Sequence, residues 1–210
     1  MRPFYLIRHG ETDWNRKLRK LQGHSDIPLN EIGIEQARGL APLLSHFKIS
    51  RYVSSDLSRA YETACLISLG QLPIDKTPDL REVKLGDAEG KTPEEVDQLY
   101  GADLRKNWSS FESQYEDLRF PKGESRKEVA KRAEDCLHYF LDLYPADTLA
   151  FVAHGYLIRS LIFEKTDLQR EFSIPNCAVV PFARTPDRSL IYHGPDDPAN
   201  LIQPPPSFLK

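Results

Sequence analysis

The chain has 210 residues, 40% of them hydrophobic and 28% charged, with a formal net charge of −3. That length suits one domain with a full core, and that balance of residue types belongs to a globular protein. The small net charge excludes a global pull toward nucleic acid or an anionic membrane, so any anion must be held by a local site.

Phe4-Tyr5-Leu6-Ile7 is a short, β-prone apolar run, the pattern of a buried strand, and it ends at Arg8-His9-Gly10. Residues 11–29 are polar, carry Gly23 and Pro28, and read as loop or short helix. Asn30 is placed to N-cap a helix whose Ile34, Ala37, Leu40, Ala41 and Leu44 share one face. Tyr52-Val53-Ser54 is a second strand candidate, followed by a helix that Ser55 or Asp56 can cap, with Arg59 in its first turn and an end near Leu69. Residues 70–92 read as loop around a short strand at 74–77, and Pro93 suits the first turn of the next helix. Residues 93–124 mix helical spacing with many charges and are expected to form a helical cap over one end of the domain. Ser125 and Glu128 form a capping box ahead of Val129, Ala133, Cys136, Leu137, Phe140 and Tyr144 at helical spacing. A fully apolar strand at 149–153 ends at His154-Gly155, a helix over about 156–163 follows, and 178–180 and 190–192 suggest two more strands. The Pro-rich residues 195–210 are expected to be an extended or mobile tail outside the core.

Alternating strands and helices predict a single α/β domain over residues 1–194, a three-layer α/β/α sandwich with a mostly parallel central sheet. Cys65, Cys136 and Cys177 are far apart, odd in number and without CxxC spacing, so they read as free thiols of a reducing compartment. The sequence shows no secretory signal and no run near the ~18 apolar residues of a membrane span, and the expected location is cytoplasmic.

Ligands of parallel sheets bind at the carboxyl ends of the strands. Arg8-His9, Arg59 and His154 all fall just beyond such ends. Two arginines can each grip phosphate oxygens in a planar, bidentate fashion, and two histidines can donate, accept or attack. No GxSxG elbow and no Walker loop is present, which leaves imidazole as the best nucleophile. It must be neutral to attack, and flanking arginines favour the neutral form. Gly10 lets the backbone come close to a ligand. Each piece alone is weak: an isolated His-Gly after a strand is as readily a turn around a core histidine, and a lone first-turn arginine is usually solvated. Their joint occurrence is what points to a phosphate monoester. No two histidines stand at metal-ligand spacing with acidic partners, so neither a catalytic metal nor another cofactor is expected. His24 reads as a solvated loop residue, His46, His138 and His193 as surface or helix-face residues, and Trp14 as a packing anchor.

Leu6-Ile7-Arg8-His9-Gly10-Glu11-Thr12-Asp13-Trp14-Asn15 resembles the N-terminal signature of the histidine phosphatase superfamily, which includes phosphoglycerate mutases and broad-specificity phosphatases. The likeness continues through Gln22-Gly23, Pro28-Leu29-Asn30, Gly33 and Gln36-Ala37, and then Ser54 to Ala60 with Thr63-Ala64. It extends to Leu80-Arg81-Glu82 with Gly86 and Glu89-Gly90, and to Val152-Ala153-His154-Gly155. The resemblance implies a phosphoglycerate mutase-like fold. It also implies that His9 takes the phosphoryl group, that Arg8, Arg59 and His154 surround its oxygens, and that Glu82 protonates the leaving alkoxide. It puts Asn15 and the backbone at Gly155 on the phosphate, and Gln22 and Gly23 near the site's entrance. The run Val83 to Thr92 and the Gly123-Glu124-Ser125 block are similar to the phosphatase branch rather than to the mutases. The expected activity is therefore hydrolysis of a small phosphorylated metabolite, with a cofactor-dependent phosphoglycerate mutase as the alternative and a catalytically silent phospho-ligand-binding module as the remote one. The substrate is a small molecule, neither nucleic acid nor membrane is an expected partner, and the oligomeric state is open, a homodimer included.

Overall fold

A computed structural model of the chain describes residues 1–110, 112–166, 172–197 and 200–203. Strand β1 (Arg2–Arg8) leads into a one-turn helix α1 (Asp13–Arg16) and then α2 (Glu31–Leu44). Strand β2 (Arg51–Ser55), helix α3 (Ser58–Ser68) and strand β3 (Ile74–Thr77) follow. Two short 3-10 turns lead to α4 (Pro93–Tyr100) and α5 (Ala102–Ser109). The chain then runs through α6 (Arg126–Leu143), β4 (Leu149–Ala153), α7 (Gly155–Lys165), β5 (Val179–Arg184) and β6 (Leu190–Tyr192). The six strands form one sheet in the order β3-β2-β4-β1-β5-β6. β3, β2, β4 and β1 run parallel; β5 pairs antiparallel with β1, and β6 antiparallel with β5.

Alternation along each strand builds the three layers. Ile7, Tyr52, Ala150 and Val152 face α2 and α3, meeting Ala37, Leu40, Leu44, Ala60, Ala64 and Ile67. Phe4, Leu6, Val53, Phe151 and Ala153 point the other way, into a core shared with α6 and α7. β1 and β4 are neighbours, yet β1 continues to α2 on one face while β4 continues to α7 on the other. The chain thus diverges at the carboxyl ends of these two strands, where an α/β sheet opens a crevice. His9 and His154 stand at its two lips.

Local chemistry sets the helix starts. Asn30 caps α2 through Gly33 N–H, and Thr92 and Ser125 close capping boxes with Glu95 and Glu128. α3 departs from expectation: its N-cap is Leu57, and neither Ser55 nor Asp56 caps it. The Ser58 N–H is satisfied instead by Asp26 Oδ1 at 2.7 Å, from a loop distant in sequence, which frees Ser55 for the site. The segment 93–124 holds α4 and α5, and its Trp108 stacks on Tyr156 at 4.5 Å, covering the start of α7. The tail also departs from expectation. Leu201 is buried among the α6–α7 core residues, and Ile202 bridges to Val179. The buried Leu201 side chain and the hydrogen bond from Val179 N–H to the Ile202 carbonyl at 2.8 Å hold this stretch against the core despite the prolines around it. Residues 204–210 lie outside the described residues.

Candidate active site

His9 follows β1 directly. Its backbone N–H bonds the Ala153 carbonyl at 3.0 Å, which fastens the end of β1 to the end of β4. The ring is buried, and Nδ1 lies 2.6 Å from the Gly10 carbonyl oxygen. A carbonyl only accepts, so Nδ1 carries the proton and the lone pair is on Nε2. Burial foremost, then the charges of Arg59 and Arg8, hold the His9 imidazole well below its usual range, that is, neutral. The His154 ring stands 5.1 Å away, is fully buried and is held neutral by the same causes. Its Nε2 is 2.9 Å from Ser55 Oγ at the end of β2.

Arg59, in the first turn of α3, is also fully buried, and burial lowers its guanidinium to about 10. Its two terminal nitrogens donate to Ser25 O at 2.8 Å and Gly23 O at 2.9 Å, so the 23–25 loop forms a collar around it. Arg8 donates to the Ile174 carbonyl. Arg8 Nε, Arg59 Nε and His154 Nδ1 are buried with no hydrogen-bond partner among the described residues. Buried polar atoms rarely go unpaired. Their place beside two guanidinium charges suits an anion.

Glu82 reaches the same place from the loop after β3. Its carboxylate accepts from the N–H groups of Tyr156 (3.1 Å), Leu157 (3.0 Å) and Val83 (3.0 Å), two of them at the start of α7. Its charge is close enough to offset part of the fall at both Arg8 and Arg59. The acid, the two arginines and the two histidines, spread from residue 8 to residue 154, are thus gathered at one crevice. Gly155 sits against Arg8: a Cβ there would lie 3.1 Å from Arg8 Nε.

The other expected contacts are placed as follows. Asn15 is engaged within the protein. Its Oδ1 accepts from Thr12 N–H, and its Nδ2 donates to Asn176 Oδ1 at 3.2 Å. Gly23 takes a positive φ of 50° and serves the Arg59 collar, where a Cβ would collide with Glu89. Gln22 buries an Oε1 with no hydrogen-bond partner among the described residues. His24 is not a solvated loop residue: its side chain is half-buried, with Nε2 2.8 Å from the Glu82 carbonyl oxygen.

Three supporting residues escaped sequence reasoning in these roles. Ser55 meets His154. Thr63 Oγ1 accepts from Gly10 N–H at 3.0 Å, and Asn176 donates to the His9 carbonyl at 2.9 Å. Ser55 and Thr63 lie in blocks of the family resemblance, and that was their signal. Nothing in the sequence marks Asn176.

Comparison with known proteins bears on the family and the fold. Residues 4–193 match the family model of the histidine phosphatase superfamily (branch 1). The chain is 39% identical over 160 residues to phosphoglycerate mutase-like protein 4 of Arabidopsis thaliana, covering 74% of this chain and 67% of that one. It superimposes with a TM-score of 0.79 on a mycobacterial glucosyl-3-phosphoglycerate phosphatase solved with VO3, at 27% identity, over 94% of this chain and 100% of the other. A phosphoserine phosphatase from Entamoeba histolytica, solved with 3-phosphoglyceric acid, gives a TM-score of 0.77 at 28% identity, over 92% and 96% of the two chains. By its sequence, its sheet order and this crevice, the chain belongs to the histidine phosphatase superfamily, branch 1.

Proposed function

We propose that the protein is a metal-independent phosphomonoesterase that works through a phosphohistidine on His9 and takes a small phosphorylated metabolite. The observation that carries this reading is the pairing of a neutral, Nδ1-protonated His9 with two unpartnered buried guanidinium donors, Arg8 Nε and Arg59 Nε, beside the unpartnered His154 Nδ1. Arg8, Arg59 and His154 hold the phosphoryl oxygens, and His9 Nε2 attacks phosphorus. The ester P–O bond breaks, and Glu82, which enters this step protonated, delivers its proton to the departing alkoxide. The Glu82 carboxylate then takes a proton from water, whose oxygen attacks the phosphohistidine, releasing phosphate and restoring both groups. Arginines neutralise a phosphate dianion without changing protonation state, which suits a step governed by positioning and charge. The donor set around the two imidazoles is cationic, the wrong company for a metal ion.

The test is phosphate release from p-nitrophenyl phosphate and a panel of metabolite esters in the presence of EDTA. Turnover with a phosphoryl group on His9 is expected; no turnover over a broad pH range defeats the reading. The mutase-like name of the Arabidopsis relative favours a second reading, a cofactor-dependent phosphoglycerate mutase. The run after Glu82 speaks for hydrolysis. Isomerisation of 3-phosphoglycerate outpacing phosphate release when 2,3-bisphosphoglycerate is added would reverse that preference.

A further inference from the structure

The tripeptide Gly23-His24-Ser25 touches both halves of the proposed machinery. Its first and third carbonyls accept from the Arg59 guanidinium, and the side chain between them reaches the acid segment. His24 Nε2 is 2.8 Å from the Glu82 carbonyl oxygen and 4.0 Å from Glu124 Oε2. The carbonyl is the partner within bonding distance and can only accept, so Nε2 carries the proton it donates. Arg132 Nη2 reaches the same carbonyl at 3.4 Å, a much longer contact. The tripeptide is itself pinned from behind. Glu89 accepts from His24 N–H at 3.0 Å and Ser25 Oγ at 3.0 Å, and from Leu85 N–H in the acid loop at 3.2 Å.

We infer that His24 is a positioning residue: it holds the Glu82 backbone in register with the Arg59 collar, so that the acid meets the leaving oxygen of a phosphate gripped by Arg59. This rests on the hydrolytic reading above. His24 touches neither phosphate nor leaving group in this role. Its loss should therefore leave anion binding intact and harm the step in which a proton is delivered. An alkyl ester depends on that proton, whereas p-nitrophenolate leaves without it.

The experiment compares kcat for glycerol phosphate and p-nitrophenyl phosphate, together with inhibition by inorganic phosphate, in wild type, His24→Ala and His24→Gln. His24→Ala should lower kcat for glycerol phosphate about tenfold more than for p-nitrophenyl phosphate, a small share of what a general acid supplies. Phosphate inhibition should be unchanged. His24→Gln, whose amide N–H can replace Nε2–H, should restore the ratio. Parallel losses on both substrates, weakened phosphate inhibition, or a Gln variant no better than Ala would overturn the inference. If the Ala variant fails to fold, His24→Gln against His24→Asn decides: the shorter Asn must lose the ratio that Gln keeps. A wild type inactive on both esters overturns the hydrolytic reading itself, whereas an active wild type with no selective loss overturns only the role of His24.

Discussion

At the scale of single residues, the chemistry is set by which nitrogen carries a proton and which donors lack a partner. The Gly10 carbonyl fixes the His9 tautomer, and burial first, then the charges of Arg59 and Arg8, keeps the ring unprotonated. His9→Ala should abolish turnover and labelling while leaving the far-UV circular dichroism and thermal midpoint close to wild type, because among the described residues the ring's hydrogen bond is to its own neighbour's carbonyl. Substantial residual activity would remove His9 from the nucleophile's place. Glu82→Gln keeps the acceptor for the Leu157 and Val83 N–H groups if the amide oxygen takes the Oε1 position, yet it has no proton to give. It should slow alkyl phosphates by about 100-fold, a usual share for a general acid, and p-nitrophenyl phosphate much less. Equal losses on both would show that Glu82 is not the acid.

At the scale of elements, the site depends on how closely α2 approaches the loop after β1. A Cβ at Gly10 would lie 2.5 Å from the Gly33 carbonyl oxygen, and one at Gly33 would run into the Glu11 backbone. The two glycines let the first turn of α2 lie directly on the 10–11 peptide, where Asn30 N–H bonds Glu11 O and Gln36 Oε1 accepts from Glu11 N–H. Gly33→Ala should destabilise by about 1–3 kcal/mol, the range for forced overpacking. It should also cut activity, because His9 shifts with the peptide behind it. Chemical denaturation and kcat on one preparation check both, and a variant equal to wild type in each would show that α2 can retreat freely. The start of α7 plays the matching part on the other lip, where its N–H groups hold Glu82 directly after His154 supplies the second imidazole.

At the scale of the molecule, folding buries two histidines in the neutral state, and this links stability to pH. Unfolded, each titrates near the ordinary 6.5; folded, each is well below it. Below that pH the unfolded chain binds more protons, so the stability present above about 6.5 should fall as the pH drops through 6.5 toward the folded-state values. Urea midpoints between pH 7.5 and 5, pH values chosen to bracket the usual histidine range, should decline, and less steeply in His9→Gln; a flat profile would contradict the buried neutral pair. Leu201 is a second whole-molecule feature, because it closes the α6–α7 core from the far end of the chain. Leu201→Ala should cost about 2–5 kcal/mol, as for other buried leucines, whereas a loss under ~0.5 kcal/mol, the level of surface substitutions, would mean the tail is not part of the core. Much of this was legible in the residues themselves. The apolar runs ending at His9 and His154, the first-turn Pro93 of α4, the capping box of α6 and the order of strands and helices follow from local sequence, and the family's blocks carry Arg8, His9, Arg59, Glu82 and His154. Periodicity and motif depend on neighbours in the chain, so the sequence by itself determined the elements and the reactive side chains. Only the tertiary structure decided who holds them. Ser55 meets His154 across 99 residues, Thr63 meets Gly10 across 53, Asn176 meets His9 across 167, and His24 meets Glu82 across 58. Such contacts leave no periodic trace, because they exist only once the sheet has brought the carboxyl ends of β1, β2 and β4 to one rim.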